Sequence, residues 1–349
     1  MYSLFRSLLF RLDPESAHRL TLHAIRIAGN FPLSNWYLTQ LYRTPSKPVQ
    51  AFGLTFKNPI GLAAGYDKDA VAIRGLAALG FGHLEVGTVT PRPQPGNARP
   101  RVFRLLEDEA VINRMGFPGR GADFVVHRLK HSDVQTFKQA NIRLGLNLGK
   151  NKDTPLENAA EDYINLMKTF ASLADYLTIN ISSPNTVGLR RLQGRELLEQ
   201  LLGAIQKERQ TTLTPSPSPE RRGGFLPILV KLSPDLNDEE INDAIGVVLD
   251  KNMDGIIATN TTLGRDGLKS MHRGETGGLS GSPLRVRSEA VLLQVVKRVD
   301  GRIPIVSVGG IMNPDDAKRR LDMGATLIQL YTGLVYEGPG LVKKILLDV

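Results

Sequence analysis

IRLGLNLGKNKDTPLENAAEDYINLMKTFASLADYLTINI, residues 142–181, contains one complete strand–helix–strand unit. Two short apolar runs, Ile142–Leu148 and Tyr176–Ile181, bound the unit and predict buried strands. Between them, Thr154 and Glu157 have the spacing of a capping box, and Pro155 would occupy the first helical position. This pattern predicts a helix start, so the stretch is a candidate repeat of an α/β fold.

The same alternation continues on both sides of this unit. The chain contains eight short runs that are rich in Ile, Val and Leu: Ile60–Ala64, Phe81–Val86, Ile142–Leu148, Tyr176–Ile181, Ile228–Leu232, Gly255–Thr259, Ile303–Val308 and Thr326–Tyr331. Most intervening segments carry helix signals, such as Asn313 and Pro314 at a start and Gly324 at an end. Unbroken apolar runs are typical of strands covered on both faces. The eightfold alternation favours an α/β protein with a (β/α)8 TIM barrel over a doubly wound sheet.

The composition excludes several classes of site. The 349 residues include no cysteine, so this chain alone forms no disulfide, thiolate zinc site or iron–sulfur cluster. A net charge of +9 suits an anionic ligand. The sequence has no long run of like charges, which argues against binding of nucleic acid. No apolar stretch is long enough to predict a transmembrane helix, and Arg6 and Arg11 interrupt the segment that a signal peptide would need.

The beginning of the chain predicts a separate helical segment. Asp13 and Pro14 form a helix start, and apolar residues recur at helical spacing before and after them. We predict a helical domain over 1–42, a linker over 43–50 and a barrel over 51–349. One stretch, 211–224, is rich in Pro, Ser and charged residues and predicts a mobile surface insertion in the barrel.

Small, polar or cationic residues follow the apolar runs at the carboxyl ends of the predicted strands, where barrels of this class bind their ligands. These residues are Ala64-Gly65-Tyr66-Asp67-Lys68, Thr88, Asn147, Asn180, Lys231, Thr259-Asn260-Thr261, Gly309-Gly310 and Tyr331-Thr332-Gly333. Together they predict a pocket of amides, hydroxyls and two lysines for an anionic ligand. The glycine-rich ends of the seventh and eighth strands lie where such barrels commonly bind phosphate. A phosphate site beside a polar pocket suits flavin mononucleotide (FMN).

Eleven sequence strings add a resemblance to a known family. They are AAGYDK (63–68), GTVTPRPQPGN (87–97), RVFRL (101–105), INRMGF (112–117), NLGKNKDTP (147–155), NISSPNT (180–186), VKLSPDL (230–236), TNTT (259–262), TGGLSG (276–281), VGGI (308–311) and QLYTG (329–333). In this order, and through nearly the whole chain, they resemble the dihydroorotate dehydrogenase family in its membrane-linked class 2. The 211–224 stretch is not a general feature of that family.

The resemblance implies three groups of site residues and a catalytic base. FMN would be held by Ala64, Gly65, Tyr66, Asp67, Lys68, Thr88, Asn147, Asn180, Lys231, Thr259, Gly281, Gly310, Tyr331 and Thr332. Dihydroorotate would contact Lys68, Asn113, Arg114, Met115, Gly116, Phe117, Asn180, Asn185, Asn260 and Thr261. A quinone path would be lined by His18, Arg104 and Tyr331, and Ser183 occupies the position of the catalytic base.

The resemblance also implies the activity and the partners. These are the oxidation of (S)-dihydroorotate to orotate in pyrimidine (UMP) biosynthesis, with FMN as hydride acceptor and a quinone as final electron acceptor. The N-terminal helices would lie on the membrane surface, which places the protein peripherally on the cytoplasmic side of the cell inner membrane. We expect a monomer with no metal and no nucleic-acid partner.

Two alternatives remain open from the residues. The first is another FMN-dependent barrel oxidoreductase, such as a hydroxyacid oxidase. That class relies on a histidine in the pocket, and none of the six histidines ends a predicted strand. The second is a non-enzymatic basic protein that binds membranes or nucleic acid, which predicts salt-sensitive binding and no flavin.

Overall fold

The computed structural model describes residues 2–132, 141–212 and 226–349. Its strands are β1 (Val49–Ala51), β2 (Leu54–Phe56), β3 (Ile60–Leu62), β4 (His83–Val89), β5 (Val102–Leu105), β6 (Ala110–Asn113), β7 (Arg143–Leu148), β8 (Tyr176–Asn180), β9 (Ile228–Leu232), β10 (Gly255–Ala258), β11 (Gly278–Gly281), β12 (Ile305–Val308) and β13 (Leu327–Leu330). The helices of the described part are α1 (Tyr2–Leu9), α2 (Pro14–Asn30), α3 (Pro32–Leu41), α4 (Ile73–Ala77), α5 (Gly121–Lys130), α6 (Ala159–Phe170), α7 (Arg195–Thr212), α8 (Asp238–Asp250), α9 (Arg285–Val299), α10 (Pro314–Asp322), α11 (Thr332–Glu337) and α12 (Leu341–Asp348).

Eight of the strands close into a parallel barrel, as the alternation of apolar runs predicted. Their order around the barrel is β3, β4, β7, β8, β9, β10, β12 and β13, after which β13 pairs with β3. Strands that follow one another in this list are neighbours in space, as the pairing of Leu146 with Leu177 illustrates. All eight predicted strands are present, and the (β/α)8 TIM barrel is confirmed.

The barrel is filled by its own side chains and is closed at the amino-terminal ends of its strands by the β1–β2 hairpin. Phe56 of this hairpin is fully buried in a cluster that includes Leu229 and Ile257 of the barrel interior. Phe52, at the turn, lies so close to Gly255 that a Cβ on that glycine would be 2.4 Å from the Phe52 ring. Since the hairpin covers this end, the carboxyl ends of the strands are left for a ligand site.

A small antiparallel sheet lies over the carboxyl ends of the strands. It consists of β5, β6 and β11, with Ile112 of β6 paired to Phe103 on one side and to Leu279 on the other. Apolar side chains of the three strands form a separate small core. The sheet carries Asn113 and Gly281, two residues of the predicted site, to the mouth of the barrel.

Helices α1 to α3 occupy the segment for which the sequence predicted a helical domain. α2 packs closely on α4, because a Cβ on Gly29 would lie 2.2 Å from the backbone nitrogen of Gly75. α1 is tied to α11 by the Tyr2 hydroxyl, which donates to the carbonyl of Val335 at 2.7 Å. α3 has no buried residue. The predicted linker over 43–50 overlaps β1, since Val49 and Gln50 belong to that strand.

Two of the three predicted helix starts are confirmed. The side chains of Asp13 and Asn313 accept hydrogen bonds from backbone N–H groups in the first turns of α2 and α10. The start predicted at Thr154 is wrong, because α6 begins at Ala159. The Thr154 hydroxyl instead donates to the Asp162 carboxylate at 2.8 Å, so it is not free to cap a helix at that point.

The ends of α10 and α7 also bear on sequence predictions. Gly324, with a φ of +105°, follows α10 as the sequence indicated. Of the predicted insertion over 211–224, Thr211 and Thr212 form the end of α7. Residues 213–224 lie outside the described part of the chain.

Candidate active site

One continuous cavity opens at the carboxyl ends of the barrel strands and extends beneath the N-terminal helices. It is lined by most of the predicted cofactor residues, namely Ala64, Gly65, Tyr66, Lys68, Thr88, Asn180, Lys231, Thr259, Gly281, Gly310, Tyr331 and Thr332. It is also lined by predicted substrate residues, namely Asn113, Met115, Gly116, Phe117, Asn185, Asn260 and Thr261, and by Ser183. The predicted quinone-path residues His18 and Arg104 line it as well. The structure therefore brings the three predicted groups to one space.

Three predicted residues lie behind the lining of this cavity. Asn147 is fully buried and contacts the site through the side chains of Thr88 and Asn180. Asp67 is buried and accepts two backbone N–H groups of the following turn, at 2.9 Å and 2.8 Å. Arg114 turns toward Glu275 and forms an ion pair with it at 2.6 Å. These side chains support the cavity wall and leave the direct contacts to their neighbours.

A chain of buried amides and hydroxyls forms the floor of the cavity. The Asn180 side-chain amide donates to Thr88 Oγ1 and to Asn147 Oδ1, at 2.9 Å in both cases. Asn147 in turn donates to the carboxylate of Glu85 at 2.8 Å. Since each of these groups is buried and hydrogen-bonded, the orientation of Asn180 is fixed before any ligand binds.

The adjoining part of the cavity wall is organised around Asn260. Its side-chain amide donates to Ser182 Oγ at 2.9 Å and to Asn180 Oδ1 at 3.3 Å. Its Oδ1 accepts the backbone N–H of Thr261 at 2.8 Å. The end of β8 and the end of β10 are thus joined by side-chain hydrogen bonds, and their amides converge on one place.

Ser183 lies in the loop that follows β8 and is largely buried, with 6% of its surface exposed. Its hydroxyl oxygen accepts the backbone N–H of Asn185 at 3.2 Å. The Asn185 side chain donates to Asn113 Oδ1 at 3.2 Å, which connects this loop to the small antiparallel sheet. A serine and two asparagines therefore meet at the cavity, away from bulk water.

Two lysines supply positive charge to the cavity. Burial lowers the pKa of Lys68 to about 8, and the ammonium donates to the carbonyl of Gly65 at 2.6 Å. Burial also lowers the pKa of Lys231, while the carboxylate of Glu85 opposes this effect. An anionic ligand would raise the pKa of both lysines again, because an opposite charge nearby favours the protonated amine.

Backbone groups at the ends of β11, β12 and β13 form a cradle of the kind that binds phosphate. Gly310 has a φ of +72°, and a Cβ there would lie 2.4 Å from the Cα of Arg285. A Cβ on Gly281, with a φ of +98°, would lie 2.3 Å from the carbonyl oxygen of Glu109. Thr332 begins α11, so its N–H has no partner within that helix. Glycine is therefore required at the two positions, and glycines beside the start of a helix are an arrangement that commonly binds phosphate.

The cavity continues as an apolar branch between the barrel and the N-terminal helices. His18 of α2 contacts Tyr66 edge-on with ring centroids 5.0 Å apart, and Tyr66 contacts Tyr331 in the same way at 5.7 Å. Arg104 stacks on Phe10 of α1, with the guanidinium carbon 4.7 Å from the ring centroid. Burial lowers the pKa of His18 to about 4, so the imidazole is neutral at physiological pH.

Sequence reasoning missed two buried polar residues inside the barrel. Glu85 is 1% exposed, and its carboxylate accepts hydrogen bonds from Asn147, Gln329 and Tyr176 at 2.8, 2.8 and 3.3 Å. Gln329 also lines the cavity. A single charged residue in the apolar run Phe81–Val86 was the available signal for Glu85. Its importance depends on partners that are distant in sequence.

His127 and His131 stack with ring centroids 4.2 Å apart at the end of α5. Within the described ranges, no group of three or more His, Asp or Glu side chains is placed to hold a metal ion. Over the same residues, no helix is both long and apolar enough to cross a membrane.

Comparison with known proteins identifies the family. The family profile described as Dihydroorotate dehydrogenase matches residues 47–349. The chain belongs to the dihydroorotate dehydrogenase family. It is therefore an oxidoreductase of a family that depends on flavin, and the resemblance seen in the sequence strings is confirmed.

Similar proteins cover almost the whole chain. A protein of Burkholderia thailandensis named Dihydroorotate dehydrogenase (quinone) is 48% identical over 345 residues, which are 99% of this chain and 96% of that protein. A protein of the same name from Azotobacter vinelandii is 47% identical over 99% of this chain and 95% of its own length. A ligand-free dihydroorotate dehydrogenase from Eimeria tenella superposes with a TM-score of 0.87 at 40% identity, over 96% of this chain and 94% of that one.

Proposed function

We propose that this protein oxidises (S)-dihydroorotate to orotate in pyrimidine biosynthesis, with FMN as its cofactor and a quinone as its electron acceptor. One observation carries the proposal. A single cavity contains a polar pocket around Ser183, a glycine cradle near Gly310 and an apolar branch beside His18. A small polar substrate, a phosphate-bearing cofactor and an apolar acceptor each have a matching part of this space.

The residues of the cavity fit FMN. Gly281, Gly310 and Thr332 would hold the phosphate through backbone N–H groups, as expected where glycine alone fits and a helix begins. Lys231 and Lys68 would lie beside the flavin ring, where their positive charge stabilises electron density. When bound, FMN supplies the acceptor for the hydride that leaves carbon 6 of the substrate.

The asparagines would orient the substrate. Asn113, Asn180, Asn185 and Asn260 each present a side-chain amide to the cavity, and the substrate is a ring of amides with a carboxylate. Lys68 would pair with that carboxylate. Because these side chains are already held by hydrogen bonds to one another, the pocket is pre-organised, and little rotamer entropy is lost on binding.

Ser183 would accept the proton from carbon 5 of the substrate. A serine hydroxyl is a weak base, so its own proton must leave through a relay or to a water molecule as the new one arrives. The N–H of Asn185, which donates to Ser183 Oγ, stabilises negative charge on that oxygen during the transfer. Burial of the loop keeps bulk water from competing for the same position.

The N-terminal helices support a peripheral association with a membrane. Most of the large apolar side chains exposed in the described part of the chain belong to these helices or to the residues that connect them, namely Phe5, Leu8, Leu12, Leu20, Ile27, Phe31, Leu33, Trp36, Tyr37 and Leu41. A cluster of this size on a soluble surface indicates contact with a membrane or a partner. We assign it to the cytoplasmic side of the cell inner membrane, from which a quinone would enter the apolar branch. That the protein acts as a monomer stays a prediction.

The visible spectrum of the purified protein under anaerobic conditions tests the proposal. Flavin absorbance that bleaches on addition of dihydroorotate and returns on addition of a quinone is the expected result. Release of the flavin by denaturation, followed by its mass, distinguishes FMN from other flavins. A flavin spectrum that dihydroorotate leaves unchanged would refute the substrate and leave the barrel and its cofactor in place.

A further inference from the structure

We propose that Glu15, which belongs to the N-terminal helices, is a positioning residue for the substrate pocket and not only part of the apolar branch. Through Arg101 and Asn97 it holds the loop of residues 113–117 and Asn185, which would contact dihydroorotate. This inference rests on the proposed function. It assigns to the N-terminal segment a role in the first half of the reaction, in addition to its role toward the quinone.

The path begins at a buried ion pair between α2 and the loop that precedes β5. Arg101 Nη2 lies 2.8 Å from Glu15 Oε1, and Arg101 Nε lies 3.1 Å from Glu15 Oε2, so both carboxylate oxygens are engaged. The side chains are 6% and 11% exposed. The guanidinium also holds the pKa of Glu15 below its usual range. Two parallel hydrogen bonds between buried charges fix orientation as well as distance.

Arg101 passes this constraint to the loop that contains Asn97. Its Nη1 donates to the carbonyls of Pro95 and Asn97, at 2.7 Å and 2.9 Å. Its own carbonyl accepts the N–H of Arg114 at 2.9 Å. One guanidinium thus donates four hydrogen bonds to a helix and a loop, and a backbone hydrogen bond joins Arg101 to the first residues of the substrate loop.

Asn97 completes the path to the pocket. Its side-chain amide donates to the carbonyls of Arg114 and Asn185, at 3.0 Å and 3.1 Å. Its backbone N–H donates to the carbonyl of Met115 at 2.9 Å. The two segments that carry Asn113 and Asn185 are therefore held together by one side chain, whose own position depends on Arg101.

The packing leaves these segments little freedom. A Cβ on Gly96 would lie 2.4 Å from the carbonyl oxygen of Met115 and 2.9 Å from Arg101 Nη1. A Cβ on Gly116 would lie 2.7 Å from the Asn97 side chain. With so little spare volume, a shift of the Arg101 guanidinium moves the loop that it touches.

Charge gives a second reason for the assignment. Arg101 is a buried cation near Lys68, and it lowers the pKa of that lysine, whereas Glu15 raises it. Glu15 therefore offsets the charge of Arg101 and helps Lys68 to stay protonated for an anionic substrate. Removal of the carboxylate would leave the buried guanidinium without its ionic partner. The substrate loop would then be held less firmly, and Lys68 would be protonated less readily.

Full-length variants of the holoprotein test the inference. Glu15→Gln removes the charge and keeps the shape of the side chain. Arg99→Gln is the matched control, because Arg99 pairs with the same carboxylate at 2.9 Å but from the surface, with 58% of its side chain exposed. Anaerobic stopped-flow bleaching at increasing dihydroorotate concentrations gives the Kd for dihydroorotate and the limiting rate separately. The rise in unfolding temperature on addition of orotate reports binding without turnover.

We expect Glu15→Gln to raise the Kd for dihydroorotate about tenfold, a change of about 1.4 kcal/mol, with a limiting rate within about threefold of the wild type. The orotate-dependent rise in unfolding temperature should shrink in parallel, and Arg99→Gln should match the wild type in both measurements. A Kd in Glu15→Gln equal to that in Arg99→Gln would overturn the inference, even if the variant were less stable.

A double-mutant cycle tests the path itself. Asn97→Ala should weaken binding as Glu15→Gln does, and the double variant should be little worse than either single one, because both substitutions interrupt the same chain of contacts. Multiplication of the two effects would overturn the path. Failure of dihydroorotate to bleach the wild type would instead refute the proposed function, and with it this inference.

Discussion

The hydroxyl oxygen of Ser183 accepts the backbone N–H of Asn185 at 3.2 Å, and the two residues belong to the same buried loop after β8. The geometry orients one lone pair of the serine toward the protein and leaves the rest of the hydroxyl for the cavity that both residues line. A hydrogen-bond donor directed at this oxygen stabilises negative charge on it. The loop is therefore built to support a serine that exchanges a proton.

Replacement of Ser183 by alanine should separate cofactor binding from chemistry. The variant should retain its flavin, because the cradle near Gly310 is untouched, and the rate of bleaching by dihydroorotate should fall by about a hundredfold or more, the usual contribution of a general base. Stopped-flow absorbance under anaerobic conditions measures this rate. Ser183→Cys keeps an ionisable group and should recover part of it. Bleaching at the wild-type rate in Ser183→Ala would remove the serine from the base position.

Replacement of Gly310 by alanine should weaken the binding of FMN. The new Cβ would meet the backbone of Arg285 at a φ of +72°, so the phosphate cradle has to open. We expect the Kd for FMN to rise by at least about tenfold, which corresponds to roughly 1.4 kcal/mol. Titration of the flavin-free protein with FMN, followed by fluorescence quenching, measures the change.

Gly301 supplies the matched control for this substitution. It has a similar φ of +70°, but a Cβ there would meet nothing within 4 Å. Gly301→Ala therefore carries the same backbone strain, about 1–2 kcal/mol of stability, without the clash. Equal affinities for FMN in the two variants would show that Gly310 has no special part in the cradle.

Much of the fold could be predicted from sequence because the barrel is periodic. Each strand is a short apolar run, and each is followed by small or polar residues, so eight repeats of one pattern specify the architecture without knowledge of contacts. The same periodicity led to the strand ends and thereby to Lys231 and Asn180. The start predicted at Thr154 failed because Asp162, in the first turn of the helix that begins at Ala159, accepts the hydrogen bond of the Thr154 hydroxyl.

What the sequence could not give is pairing between distant positions. Glu15 and Arg101 are separated by 86 residues, and nothing local marks either as a partner of the other. Glu85 and Gln329 are separated by 244 residues and meet only because β4 and β13 flank β3 in the closed barrel. Such pairs depend on tertiary packing. The strings that resemble the family include Arg101 and Gln329, but they do not include the partners Glu15 and Glu85.

A bulkier side chain in the apolar branch should impair the quinone half of the reaction selectively. Ala17 of α2 lines the cavity and is 9% exposed, so Ala17→Leu adds volume inside the branch. Return of flavin absorbance on addition of a quinone should slow by about tenfold, or roughly 1.4 kcal/mol in the barrier. Bleaching by dihydroorotate should stay within about twofold of the wild type.

Ala24→Leu is the control for the apolar branch, because Ala24 is exposed on the same helix. It should leave both half-reactions unchanged. Equal slowing of the two half-reactions in Ala17→Leu would indicate a general loss of structure and would count against a separate path for the quinone.

The membrane contact can be followed with the protein's own fluorescence. Trp36 of α3 is the only tryptophan in the sequence and is 59% exposed. Vesicles that contain anionic phospholipid should shift its emission to shorter wavelength, because the indole enters a less polar environment. Leu33→Glu, at a side chain that is 78% exposed on the same helix, should reduce this binding by at least about tenfold.

Val286→Glu is the control for vesicle binding. Val286 is 72% exposed but lies on α9, outside the N-terminal helices. If both variants bound vesicles equally well, or if Trp36 emission did not respond to vesicles, the N-terminal helices would not be the membrane-binding surface.

The buried histidine His83 should make the stability of the protein depend on pH. It is fully buried at the start of β4, both ring nitrogens lack a hydrogen-bond partner among the described residues, and burial lowers its pKa to about 3. Below about pH 6.5 the His83 imidazole binds a proton in the unfolded chain but stays neutral in the folded protein. The free energy of unfolding therefore falls as the pH drops from about 6.5 toward 3. Between pH 7 and pH 5 the loss from this residue is about 2 kcal/mol.

His83→Leu removes the titrating group. The free energy of unfolding, measured with urea, should therefore fall by about 2 kcal/mol less over this interval than it does in the wild type. His18 acts in the same direction down to about pH 4 in both proteins, so the difference isolates His83. Parallel pH dependences in the two proteins would show that His83 takes up a proton in the folded state as readily as in the unfolded one.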